Sequence, residues 1–161
     1  APGEAEALET LSYMLGGGPT SVLYDMLVVE EKIAVGAGAY YLGSAVDDTR
    51  LWVYATPAPD VSLEDLDEAI ERVIQRFIDG PIDDQHLARA KTRLIADAIY
   101  AQDNQTSLAR WYGEALATGL TIEDVQAWPD RMEAVTAQNV IDAARKWLDK
   151  RRSVTGFLLP A

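Results

Sequence analysis

Residues 15–27, LGGGPTSVLYDML, set three consecutive glycines and a proline ahead of Thr20, Ser21 and a run with helical spacing. Glycine amides in front of a helix N-terminus attract anions, so a phosphate cradle is one reading. A phosphate loop, however, needs a lysine beside its Ser or Thr and a strand before it, and a dinucleotide-binding turn needs another glycine spacing after a strand. Neither condition holds. Upstream, Ala5, Leu8, Leu11 and Leu15 recur at helical spacing and stop at Gly16, so a helix leads in. The stretch reads as a joint between two helices, with glycine supplying positive φ at a C-terminal cap. Thr20 or Ser21 is then placed to cap the second helix, SVLYDMLVVE.

Beyond that helix the spacing changes. Residues 33–43, IAVGAGAYYLG, are rich in small and aromatic side chains, and residues 49–57, TRLWVYATP, set Leu51, Val53 and Ala55 against Trp52, Tyr54 and Thr56. Joined by the short loop SAVDD, the two predict an antiparallel hairpin ended by Pro57 and Pro59. Helices follow. The capping box SLED, Ser62 to Asp65, opens one with Leu63, Leu66, Ile70, Val73, Ile74 and Phe77 on one stripe, stopped by Gly80 and Pro81. A long helix from about Asp83 to about Ala101 buries Leu87, Ala90, Leu94, Ile95 and Ala98. NQTSLARWYGEALATG makes another, ending at Gly119; the box TIED from Thr121 starts a short one that ends before Pro129; Thr136 caps the last, TAQNVIDAARKWL.

RRSVTGFLLPA, residues 151–161, closes as a strand with no partner nearby in sequence. Strands and helices are segregated along the chain, which predicts an α+β fold: an antiparallel sheet of at least three strands in this chain, with several helices packed on one face. Three strands are few for this much helix, which points to strands upstream. The N-terminus APGEAEALETL has no basic signal-peptide region and starts with a helix already under way. The chain therefore reads as a single α+β domain over residues 1–161, a piece of a longer protein.

Composition narrows the chemistry. At 161 residues, 48% hydrophobic and 25% charged, the chain has the balance of a soluble globular domain able to bury one core. No run approaches the roughly 18 apolar residues of a membrane span. The net charge of −12, from 26 acidic and 14 basic residues, repels a nucleic-acid backbone, so neither nucleic acid nor membrane is expected as a partner. There are no cysteines, which removes disulfides and thiolate chemistry but does not separate cytoplasm from periplasm.

The single histidine, His86, cannot build a histidine-rich zinc site alone. Asp83 and Asp84 beside it suggest a metal site, but acids at a helix start are already explained by the helix dipole. The basic cluster KWLDKRR, Lys146 to Arg152, is expected to balance nearby acids at a solvated edge, or else to dock an acidic partner. In YYLGS and RLWVYATP alternate residues face opposite sides of a sheet, and Tyr40 or Tyr41 is a candidate wall for a binding cavity. No general acid or base stands out.

Taken together, YMLGGGPTSVLYDMLVVEEKIAVGAGAYYLG, WVYATPAP, ARAKTRLIADAIYAQDN and RRSVTGFLLP resemble the C-terminal half of bacterial zinc metallopeptidases of the pitrilysin/insulinase family. The most specific element is LGGGPTSVLYDML followed by EEK.AV, similar to the glycine joint and REK.GLAY segment of that family. The AK..L helix pattern, and a terminal tryptophan-bearing helix followed by a strand, also fit.

The resemblance implies two similar α+β domains facing each other across a cavity that encloses an extended peptide. The N-terminal one carries the zinc motif H-x-x-E-H, with the glutamate as general base. That motif is absent here; HLARA at His86 does not match it. Zinc is therefore expected in the full-length enzyme through its N-terminal domain, with no catalytic residue and no metal ligand in this chain. Many C-terminal halves contribute a substrate-binding Arg and, seven positions later, a Tyr; aligning VVEEKIAV on REK.GLAY puts Val28 and Val35 there. A valine cannot donate to a carbonyl or an oxyanion.

The resemblance thus implies a non-catalytic, cavity-forming domain of a bacterial zinc metallopeptidase. Its hairpin would face the chamber, with the helices of residues 62–148 as outer wall. Its partners would be the zinc-bearing N-terminal domain, a peptide substrate and a second homologous subunit in a homo- or heterodimer. The alternative is a peptidase-like structural or assembly subunit without proteolytic activity. A third reading is an unrelated α+β module that binds a small molecule.

Overall fold

The computed structural model describes residues 3–159. Its centre is helix α1, Glu4–Gly16, which the apolar spacing predicts but whose depth it understates. Leu11, Met14, Leu15 and the polar Thr10 are fully buried, and Ala7, Leu8, Glu6 and Ser12 are buried beside them. A helix buried nearly all round has to satisfy its polar groups internally. The Thr10 hydroxyl donates to the Glu6 carbonyl at 2.8 Å, and the Ser12 hydroxyl to the Glu9 carbonyl at 2.9 Å. Each buried leucine of this helix contributes roughly 1.5–3 kcal/mol.

After the glycine joint comes a single helical turn, α2, Val22–Tyr24, which passes straight into a π-helical segment, Asp25–Glu30. Its wide spacing is visible where the Glu31 amide donates to the Met26 carbonyl at 2.9 Å. Ser21 has the extended backbone of an N-cap but does not cap by its side chain as expected. Its hydroxyl donates backwards to the Gly18 carbonyl at 2.6 Å, so it closes the glycine turn instead.

Strands β1, Ala34–Tyr41, and β2, Leu51–Pro57, form the antiparallel hairpin. The register pairs Tyr40 with Trp52, Gly38 with Tyr54 and Ala37 with Ala55, and slips between Ala34 and Gly36, leaving Val35 in a bulge. The connecting loop takes residues 42–50 and is longer than SAVDD; the Thr49 hydroxyl closes it on the Leu42 carbonyl at 2.8 Å. One face of the hairpin turns Ala34, Ala37 and Ala39 inward against α1. Alanines there let the helix approach closely.

Helix α3, Leu63–Asp79, starts where Ser62 accepts the Asp65 amide at 3.0 Å, and it buries Leu66, Ala69, Val73 and Phe77. Helix α4, Asp84–Ala101, is capped by Asp83 and buries Leu87 and Ala90, while Leu94, Ile95 and Ala98 of the expected stripe are half-buried. Helix α5, Gln105–Ala117, capped by Asn104, buries only Ala115. Helix α6, Ile122–Gln126, has the full Thr121 capping box. It gives way to α7, Trp128–Glu133, in which Pro129 occupies the first turn, a position that needs no amide hydrogen. Helix α8, Ala137–Trp147, capped by Thr136, packs on α1. The Lys91 ammonium ties α4 to the end of α7 by donating to the Glu133 carbonyl at 2.6 Å and the Val135 carbonyl at 3.2 Å.

The architecture is α+β, but the expected sheet of at least three strands is corrected to two among the described residues. Residues 153–159 are not hydrogen-bonded to either strand; Val154 is 98% and Leu158 94% exposed. A strand's hydrogen bonds are all made to its neighbour, and this segment meets no sheet edge: Ser153 bonds back to the Lys150 carbonyl, and the Thr155 hydroxyl reaches Asp67 of α3 at 3.4 Å. Residues 160 and 161 of the expected strand lie outside the described residues.

Candidate functional site: the open face of the hairpin

The hairpin has one face on the core and one in the open. Strand alternation puts Tyr40, Trp52 and Tyr54 on the open face, and they are 45%, 43% and 56% exposed. Tyr40 stacks on Trp52 across the strands, ring centroids 6.1 Å apart and planes 14° from parallel, and meets Tyr54 at 6.4 Å with planes inclined by 54°. The Arg50 guanidinium lies over the Trp52 ring, 5.5 Å from its centroid. Gly38 is what lets Tyr54 lie down over β1, since a Cβ there would come 2.5 Å from the Tyr54 hydroxyl. The result is a ladder of three rings ending in a cation.

Tyr54 also belongs to an open groove of about 530 Å³ beside β1, shared with Gly16, Gly17, Gly18, Pro19, Tyr24, Gly36, Ala37 and Ala39. The three glycines are thus a joint with separate tasks. Gly16 abuts the β1 backbone, Gly17 lies under Tyr13 and donates to its carbonyl at 2.7 Å, and Gly18 takes φ of 141°. Of the two tyrosines singled out by sequence, Tyr40 stands on the open face. Tyr41 faces the helices, where burial and the charges of Glu4, Glu9 and Glu6 push its hydroxyl pKa up.

Val28 and Val35 point different ways. Val28, in the π-helical segment, packs against the core. Val35, in the bulge, is exposed. A bulge next to a site re-aims one side chain, and here it presents an apolar one.

His86 lies in the first turn of α4, its pKa lowered by burial and by Arg89 and raised in part by Asp83. Among the described residues no group of three or more His, Asp or Glu side chains is placed to hold a metal ion. The described residues do not fit zinc. The basic cluster is spent on neighbours: Lys146 pairs with Glu4, Lys150 with Asp67 and Glu71, and Arg151 with Asp149, while Arg152 lies over the Trp147 ring at 4.6 Å.

The buried polar groups form a second cluster, between α1 and α7. The Arg131 guanidinium donates to Glu6 at 2.6 Å and to the Asp124 carbonyl at 3.0 Å, and the Trp128 indole donates to Glu9 at 3.1 Å. Burial raises the Glu9 pKa to about 6, with Trp128 opposing and the Glu6 charge reinforcing the shift. Sequence reading missed this cluster, as it missed Arg50 on the ladder, because contacts far apart in the chain leave no local pattern.

No curated protein matches the sequence. Solved structures do. The chain superposes on a candidate zinc protease from Bordetella pertussis with a TM-score of 0.87 at 18% identity, covering 99% of this chain and 87% of that one. It matches the inactive peptidase domain of a candidate zinc protease from Bordetella parapertussis with a TM-score of 0.86 at 16% identity, covering 99% and 85%. A protease from Helicobacter pylori gives 0.84 at 19% identity over 93% of this chain, which spans only 36% of that chain. These likenesses establish the fold. The family described as the peptidase M16 inactive domain matches residues 2–94, from the start of α1 through the glycine joint and hairpin into α4. The chain is a member of the peptidase M16 inactive domain family.

Proposed function

We propose that this chain is the substrate-enclosing half of a zinc metallopeptidase whose metal and general base lie in a separate zinc-bearing domain. The reading rests on one observation: the inactive-domain match spans the joint, hairpin and first helices, where the chain offers an open aromatic sheet face. On this reading residues 1–161 are the C-terminal domain of a longer chain. The open face looks into the chamber, and Val28 and Val35 occupy the substrate-binding Arg and Tyr positions. A second homologous subunit carrying that pair would then complete the site. No helix of the described residues is long and apolar enough to cross a membrane.

The test is reconstitution. The purified chain should carry no stoichiometric zinc and cleave no peptide, and addition of the domain encoded upstream, with zinc, should produce cleavage. Tight zinc binding by this chain alone, or an upstream sequence without H-x-x-E-H, would overturn the reading. A degraded upstream motif with stable association would favour the assembly-subunit alternative.

A further inference from the structure

We infer that the Tyr40–Tyr54 end of the aromatic ladder is a subsite for the basic side chains of an extended peptide, Lys or Arg. The inference rests on the proposal that this face looks onto a peptide. Three observations carry it. The rings are fixed by the fold: Tyr54 lies over Gly38, Tyr40 over Trp52, and all three remain exposed. The ladder already holds one guanidinium, since Arg50 sits on Trp52, while among the described residues no cation lies over the two tyrosines inclined at 54° at the other end. Finally, the chain carries 26 acidic against 14 basic residues, and its net charge of −12 draws cationic ligands and repels anionic ones.

Electrostatic attraction to a ring face favours a flat or compact cation over a neutral group of the same size. An extended peptide fits because side chains on one side of a strand repeat every second residue, as the ring-bearing positions of the hairpin do. The groove beside Tyr54 continues the same surface towards the glycine joint, leaving room for the peptide backbone.

Three labelled peptides of equal length, alternating Ala with Lys, Gln or Glu, test this by fluorescence polarisation on the full chain. The Lys peptide should bind at least about tenfold tighter than the Gln peptide, and the Glu peptide weakest. Tyr40→Leu and Tyr54→Leu, each checked for an unchanged melting transition, should cut the Lys-over-Gln preference to about twofold. Tyr40→Phe, which keeps the ring, should preserve it. Equal binding of Lys and Gln peptides overturns the inference while leaving the enclosing role intact. A Lys preference that survives both leucine variants also overturns it, because the diffuse charge alone would then explain it. Preference for the Glu peptide would assign recognition to Arg50 instead. Loss of the upstream zinc motif would sink the peptidase reading without touching these binding results.

Discussion

Gly16 and Ala39 meet backbone to backbone: a Cβ on Gly16 would fall 1.9 Å from the Ala39 amide nitrogen and 2.7 Å from its Cα. The last turn of α1 therefore sits on β1 without a side chain between them. Because the obstacle is main chain, no rotamer change relieves it. Gly16→Ala should destabilise the chain by about 3 kcal/mol, lowering Tm by roughly 6–12 °C. Gly113→Ala, in α5 with open space around it, should instead stabilise by about 0.5–1 kcal/mol. Thermal melts of the two variants side by side check both signs.

Arg131 is the counter-charge of the buried Glu6 carboxylate, whose side chain is 7% exposed. Truncating the arginine leaves that carboxylate without its strongest donor. Arg131→Ala should cost about 3–5 kcal/mol by urea denaturation. The double variant Glu6→Gln with Arg131→Met should cost clearly less than the single truncation, because no uncompensated charge then remains buried.

Residues 154–159 hold on by little, so removing them from this chain should lower Tm by less than about 2 °C. In a chain extended upstream by the proposed strands the same deletion should cost several times more, since the segment would then have an edge to pair with. Equal cost in both chains would argue against a strand role.

Elements announced by local chemistry were legible in the sequence. The caps at Ser62, Thr121 and Thr136, and the alternation of Leu51 to Thr56, mark where helices and the hairpin lie, whereas the caps at Asp83 and Asn104 came only with the structure. What stayed hidden depends on partners distant in the chain. The burial of Thr10 and Glu6 turns α1 from a one-sided helix into the centre of the core, and only its neighbours reveal this. The Val35 bulge and the Tyr40–Trp52 pairing are matters of register, and Ser21 donates where a cap would accept. The third strand failed because strand propensity in 153–159 does not supply an edge. At the site, the identities of Val28 and Val35 were readable, whereas the ladder needed the register to bring Tyr40 between Trp52 and Tyr54.

Glu9 gives the fold a pH dependence of unusual sign for a carboxylate. Its native pKa of about 6 stands above the ordinary glutamate value of 4.5, so the native state binds its proton more tightly than the unfolded chain. The contribution is fully present below about pH 4.5 and is lost as pH rises through 6. The depressed carboxyls of Glu31 and Asp124 act oppositely and at lower pH, losing their contribution on acidification. His86, with a lowered pKa, also loses its contribution as pH falls, and so opposes Glu9 near neutrality. The difference between the natural chain and Glu9→Gln cancels these shared effects. Relative to that variant, the natural chain should lose up to about 2 kcal/mol between pH 4.5 and pH 7.5. Denaturant titrations at both pH values measure it. A difference that stays flat across that window would mean that Glu9 ionises in the native state as freely as in the unfolded one.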